Sequence, residues 1–245
     1  MALRIVGIDC ATQPKNTGLA LAVLEGDRLT VHHARVAAHA TDAAETAADW
    51  LADAPDGVLA LDAPLGWPAP MGKALASHTA GAPISTEADR MFNRATDRVV
   101  RQRLGKKPLE VGADRIARTA LAALATLDAI RQRVPVAMGW TPGDVCGYHA
   151  LEVYPAATLL ARGLDPRGYK KPDASARRAA FLPALDLSAS DPVRAAAEAV
   201  DHALDAVLCC VAAADYARGH VLTPAGAGVG DALARREGWI WFPAD

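Results

Sequence analysis

Residues 3–9, LRIVGID, hold apolar positions almost without interruption and then stop at an acid, Asp9. TGLALAVLE (17–25) and LTVHHARVA (29–37) carry the same strand signature, and the turn residues of TQPKNTG and EGDR predict that the three are antiparallel neighbours. The period then changes. TDAAETAADWLADA (41–54) has helical spacing with Thr41 as its expected cap, and DGVLALD (56–62) follows as a short apolar strand that again stops at an acid, Asp62. Between about 64 and 147 the chain reads as a helical insertion: a Pro/Gly-rich loop, a basic helix around Arg90 to Arg103, and an Ala/Leu-rich helix over 114–133. YHALEVYP (148–155) reads as a fifth strand, residues 192–219 as one long helix ending at Gly219, and GWIWFP as a short final strand. The expected architecture is α/β, a mixed five-stranded sheet of three antiparallel strands followed by parallel ones, flanked by helices.

Composition narrows this. With 245 residues, 51% hydrophobic and 22% charged, the chain can bury a sizeable core as a single domain spanning 1–245. The formal charge is −2, so contact with nucleic acid has to come from a local patch rather than a global field. No signal-peptide pattern and no apolar run of membrane-spanning length is present, which sets the expectation of a soluble cytoplasmic protein with no membrane partner; the oligomeric state stays open. Cys10, Cys146, Cys209 and Cys210 lack CxxC spacing, and neither disulfides nor zinc are expected.

The acids carry the candidate chemistry. Asp9 and Asp62 end strands, Glu152 lies in the fifth, and Asp201 and Asp205 are spaced i, i+4 on a strongly apolar helix, where an acid needs a partner. Strand ends at the carboxyl edge are where open α/β sheets assemble sites. Carboxylates brought together repel unless a cation neutralises them, and oxygen-only ligands favour Mg²⁺ or Mn²⁺. Two such ions roughly 3.5–4 Å apart can activate a water and stabilise the leaving oxygen of a phosphodiester. Each acid also has a plainer reading: Asp9 and Asp62 as turn residues, Glu152 as an edge-strand salt bridge.

The order of these elements, with GID, LDAP and HALDA in place, resembles the RNase H-like superfamily and Holliday-junction resolvases in particular. GIDCA, LDAPLGWP, RMFNRATD, LEVYPAATL, DHALDA and GWIWFP together look like domain-of-unknown-function family four-two-nine, described as predicted nucleases of that fold. The resemblance implies a metal-dependent nuclease or phosphodiesterase in which Asp9, Asp62 and Asp205 are the metal-binding catalytic acids; Glu152, from its place in the fifth strand, is a further catalytic candidate. It also implies that His202 joins Asp9, Asp62 and Asp205 as a metal ligand, since it stands where many resolvases have an acid. Spacing alone does not choose between His202 and Asp201.

Arg90, Arg94, Arg98 and Arg101 fall at i+3 and i+4 steps, a row that could hold substrate phosphates as the local nucleic-acid patch. The same row reads equally as a solvated face with Asp89 and Asp97 as ion-pair partners. GYKKPDASARR adds Lys170, Lys171, Arg177 and Arg178 as a second cluster. Two other classes compete with the hydrolase: an actin/Hsp70-like phosphotransferase, for which AGAGVGDA is the one candidate second phosphate loop, and a nonenzymatic binding module with a degenerate site.

Overall fold

A computed structural model describes residues 2–112 and 114–244. The strands are β1 (Ala2–Asp9), β2 (Gly18–Glu25), β3 (Arg28–Val36), β4 (Gly57–Asp62), β5 (Val136–Met138), β6 (Tyr148–Glu152) and β7 (Leu187–Ala189). The helices are α1 (Asp42–Ala52), α2 (Ala69–Leu75), α3 (Ala88–Phe92), α4 (Ala95–Leu104), α5 (Asp114–Arg131), α6 (Pro155–Leu160), α7 (Ser175–Phe181), α8 (Asp191–Ala199), α9 (Asp201–Ala217) and α10 (Asp231–Glu237). The strands form one sheet in the order β5-β6-β4-β1-β2-β3-β7. β1, β2 and β3 are antiparallel, as their short turns require, and Gly26 takes the φ of 57° that the β2–β3 turn needs. β4, β6 and β5 then add in parallel, and β7 pairs in parallel with β3 at the opposite edge.

Successive side chains of a strand point to opposite faces, so the near-continuous apolar runs of β1 and β4 require cover on both sides. One core contains the buried faces of α8 and α9 with Ile5, Ala20, Val58 and Ala60; the other contains α1 and α5 with Val6, Ile8, Leu59 and Leu61. α9 carries an almost wholly buried sequence, LDAVLCCVAAADY, which explains why its apolar residues show no one-sided stripe.

Six expectations need correction. The sheet has seven strands rather than five, because β5 and β7 are three residues each, too short to show a period. The stretch 64–147 is not purely inserted: β5 pairs with β6, and α5 shares a core with α1. The long helix over 192–219 divides at Val200, whose φ of −131° and ψ of 125° are extended. Residues 90–103 likewise divide, with Asn93 and Arg94 extended between α3 and α4. GWIWFP makes single bridges, Glu152 to Ile240 and Val221 to Pro243, although Trp239, Ile240, Trp241 and Phe242 are all buried. Thr41 makes no capping bond; Asp42, in the first turn of α1, takes the Ala38 N–H at 2.6 Å and both ends of the Arg35 guanidinium instead.

Candidate metal centre

Parallel pairing puts Asp9 and Asp62 directly beside each other, as the last register partners of β1 and β4. They share the parity of Gly7 and Ala60, which face α9. α9 lies close against β1 and β2 because Gly7 and Gly18 have no side chain: a Cβ at either would collide with the carbonyl oxygen of Ala206 or His202. That approach delivers Asp205. One carboxylate oxygen from each of Asp9, Asp62 and Asp205 lies within 4.8 Å of the others. Two ligands on opposite sides of one hard cation stand about 4–5 Å apart, given metal–oxygen distances of roughly 2.0–2.6 Å, so the spacing fits.

The surroundings orient these acids. His202 Nδ1 lies 2.7 Å from Asp9 Oδ2, a hydrogen bond in which the ring nitrogen donates when Asp9 is ionised. His202 stands against Asp9 as a partner that aims it, and it lies outside the group of three acids. Asp201, at the first residue of α9, is outside the trio. Tyr169 donates its hydroxyl to Asp205 Oδ1 at 2.6 Å, and Lys170 Nζ lies 2.5 Å from Asp205 Oδ2. The Lys170 ammonium pairs with this fully buried oxygen and offsets part of its charge.

Burial raises the pKa of all three acids. Asp9 is raised by desolvation, opposed by the His202 hydrogen bond; Asp62 is pushed well above the carboxylate range by desolvation and then by Asp9; Asp205 is raised to about 6 by desolvation, opposed by Lys170. The His202 pKa is raised by its bond to Asp9. For Lys170, burial works to lower the pKa, but Asp205, Asp62 and Asp9 override it and raise it. The acids are raised chiefly because burial disfavours their charge, with their mutual repulsion adding to it, and three carboxylate oxygens so placed could hold a metal ion.

Glu152 does not join the trio. As register partner of Leu61 it has the opposite parity to Asp62, and its carboxylate is held by Arg94 at 2.7 and 2.8 Å and by the Leu65 N–H at 3.0 Å. The salt-bridge reading describes this contact, on an interior rather than an edge strand. Arg94 leaves the predicted phosphate row for the same reason. It is 2% exposed and also binds Asp97 and the Glu237 carbonyl. Arg90 and Arg98 border a separate groove, and Arg101 is exposed on α4. The second basic cluster also disperses: Arg177 pairs with Asp165, and buried Arg178 binds the carbonyls of Tyr169, Lys171, Glu198 and Ala199. Arg178 thereby clasps the 169–171 loop to the end of α8, positioning Tyr169 and Lys170 over Asp205. Sequence reasoning missed Tyr169 and misread Lys170 because neither sits in a periodic element.

A cavity of about 440 Å³ opens onto Asp9 and Asp62, bordered by Lys106, Lys107, Tyr154, Tyr169 and Lys170. AGAGVGDA, at 225–232, forms a turn and the start of α10 and does not line it. Among the described residues no helix is long and apolar enough to cross a membrane.

Fold and site together define an α/β protein whose mixed sheet presents a buried carboxylate trio, a candidate centre for a hard divalent cation. The chain belongs to the family described as "Protein of unknown function (DUF429)", which matches residues 7–227 and so includes all three acids. No curated protein and no solved structure matches it.

Proposed function

We propose that the protein is a metal-dependent phosphodiester hydrolase with an RNase H-like fold. The observation that carries this reading is the convergence of Asp9, Asp62 and Asp205 from two strand ends and one helix. The run β3-β2-β1-β4-β6, antiparallel for three strands and then parallel, supports the fold assignment. Asp9, Asp62 and Asp205 would hold Mg²⁺ or Mn²⁺, which when bound activates a water and offsets charge on the phosphate. His202 keeps the Asp9 carboxylate aimed inward, and Tyr169 fixes one oxygen of Asp205. Lys106, Lys107 and Lys170 supply positive charge along the cavity wall for a phosphate oxygen.

The test is a melting titration of EDTA-treated protein with Mn²⁺, paired with hydrolysis of a chromogenic phosphodiester. At a hundred times its Kd, a ligand that binds only the folded state stabilises by about 2.7 kcal/mol. Wild type is expected to show such a rise and metal-dependent hydrolysis, and an Asp205→Asn variant that still melts cooperatively is expected to lose both. Absence of any Mn²⁺ response in wild type would remove the metal, and with it the reading.

A further inference from the structure

The three acids of the centre differ in what the protein already gives them. Asp9 is bonded to His202 through one oxygen, and Asp205 has Tyr169 on one oxygen and Lys170 on the other. Asp62, among the described residues, has no hydrogen bond or ion pair. The acids that could enlarge the set are engaged elsewhere or stand apart: Glu152 and Asp97 are held by Arg94, and neither they, Asp201 nor His202 belongs to the group whose ligand atoms lie within 4.8 Å of one another. Among the described residues, three carboxylates are therefore the anionic complement of the centre.

Lys170 is placed unlike an ordinary buried ion-pair partner. Asp205 has no exposure, yet the Lys170 side chain retains 54% of its own and lines the same cavity as Asp9 and Asp62. An ammonium has three N–H donors, and Asp205 is the one carboxylate paired with this one. Its place is fixed from behind. Buried Arg178 binds the carbonyls of both neighbours, Tyr169 at 2.8 Å and Lys171 at 2.9 Å, and the lysine head lies 5.7 Å from the centre of the Tyr169 ring.

Charge and ligand supply then agree. Three ionised carboxylates and one ammonium leave two negative charges, which one divalent cation neutralises. A second such ion would leave two positive charges in a buried setting, where unbalanced charge is costly. The oxygens without a protein donor are one of Asp9 and both of Asp62, a complement for one ion and not for a pair.

We propose that the centre takes a single divalent cation and that the Lys170 ammonium fills the part of a second, donating to a non-bridging oxygen of the substrate phosphate. The inference rests on the hydrolase reading and adds to it the number of ions and a residue that touches the reacting group. Lys170 gives up no proton and forms no covalent bond in this role; its contact strengthens as negative charge gathers on the phosphate.

The experiment is an isothermal titration of EDTA-treated wild type and Lys170→Met with Mn²⁺, followed by electron paramagnetic resonance of the Mn²⁺-loaded proteins and by hydrolysis of the chromogenic phosphodiester. Wild type is expected to bind one Mn²⁺ per chain and to give the spectrum of an isolated ion, without spin coupling. Lys170→Met is expected to bind Mn²⁺ at least as tightly, because a repelling charge beside the ion is gone, while hydrolysis at saturating Mn²⁺ falls about 10²–10³-fold, the loss typical of one donor to a developing oxyanion. Lys170→Arg, which keeps the charge, is expected to restore part of that rate. A lysine that only props the site gives the opposite pattern, weaker Mn²⁺ binding from a disturbed Asp205 and a normal rate per bound ion, and either result overturns the proposal. So does a spin-coupled pair at two ions per wild-type chain; hydrolysis that accompanies it leaves the hydrolase reading standing. If Lys170→Met does not fold, Lys170→Gln takes its place under the same expectations. Absence of Mn²⁺ binding by wild type defeats the hydrolase reading and the proposal together.

Discussion

Arg94 commits its whole guanidinium to the interior, bridging Glu152, Asp97 and the Glu237 carbonyl, and so joins β6, α4 and the end of α10. Removing one member of such a pair strands the other charge out of water, at a typical cost of about 3–5 kcal/mol. Arg94→Met is therefore expected to lower unfolding free energy by that amount in chemical denaturation. Glu152→Gln should cost less, since Asp97 still meets the guanidinium. A phosphate-binding arginine would behave oppositely, with binding reduced and stability unchanged. Spacing along the chain placed Arg94 in a surface row because i, i+4 steps say which residues share a face but not whether that face is wet. Asp9, Asp62 and Asp205 were legible because each breaks an apolar context that gives an acid no reason to be there. Lys170 and Tyr169 were not, since a loop clasped by Arg178 has no pattern to read.

At the scale of elements, α9 sets the geometry of the site by how closely it approaches the sheet. Gly18→Ala would insert a methyl group where the His202 carbonyl stands, and the helix carrying both His202 and Asp205 must shift. Overpacking of this kind costs about 1–3 kcal/mol, and the displaced carboxylate is expected to weaken Mn²⁺ binding as well. Isothermal titration of Gly18→Ala with Mn²⁺ checks the second effect, and wild-type affinity would show that the close approach is not what places Asp205. The longer strands were readable from their apolar runs and the antiparallel trio from its turns. The breaks at Val200 and at Asn93–Arg94 were not, because neither contains proline or glycine, and tertiary packing alone selects the extended backbone.

Across the whole molecule, the buried acids make stability depend on pH in a direction unusual for carboxylates. Asp205 titrates near 6 against an ordinary 3.8, because burial disfavours its charge. Below about pH 4 folded and unfolded chains both hold this proton and its contribution is fullest; between 4 and 6 only the unfolded chain releases it, so stability falls as pH rises. Asp42 acts in the other sense, its pKa lowered by Arg35, but its contribution is lost only as pH falls below the ordinary value. Melting of EDTA-treated protein is thus expected to decline from pH 4 to 6, and the rise on adding Mn²⁺ to grow over the same interval, because the cation requires the ionised acids. A flat metal-free profile would show that Asp205 does not carry the effect. The contact between Asp9 and His202 spans 193 residues of chain. Asp9 and Asp62 lie within the first 62 residues, and Asp205 is supplied by α9, far later in the chain. The cation-holding pocket is therefore a property of the tertiary fold and of no local element, so Mn²⁺ affinity and the global fold are expected to be lost together.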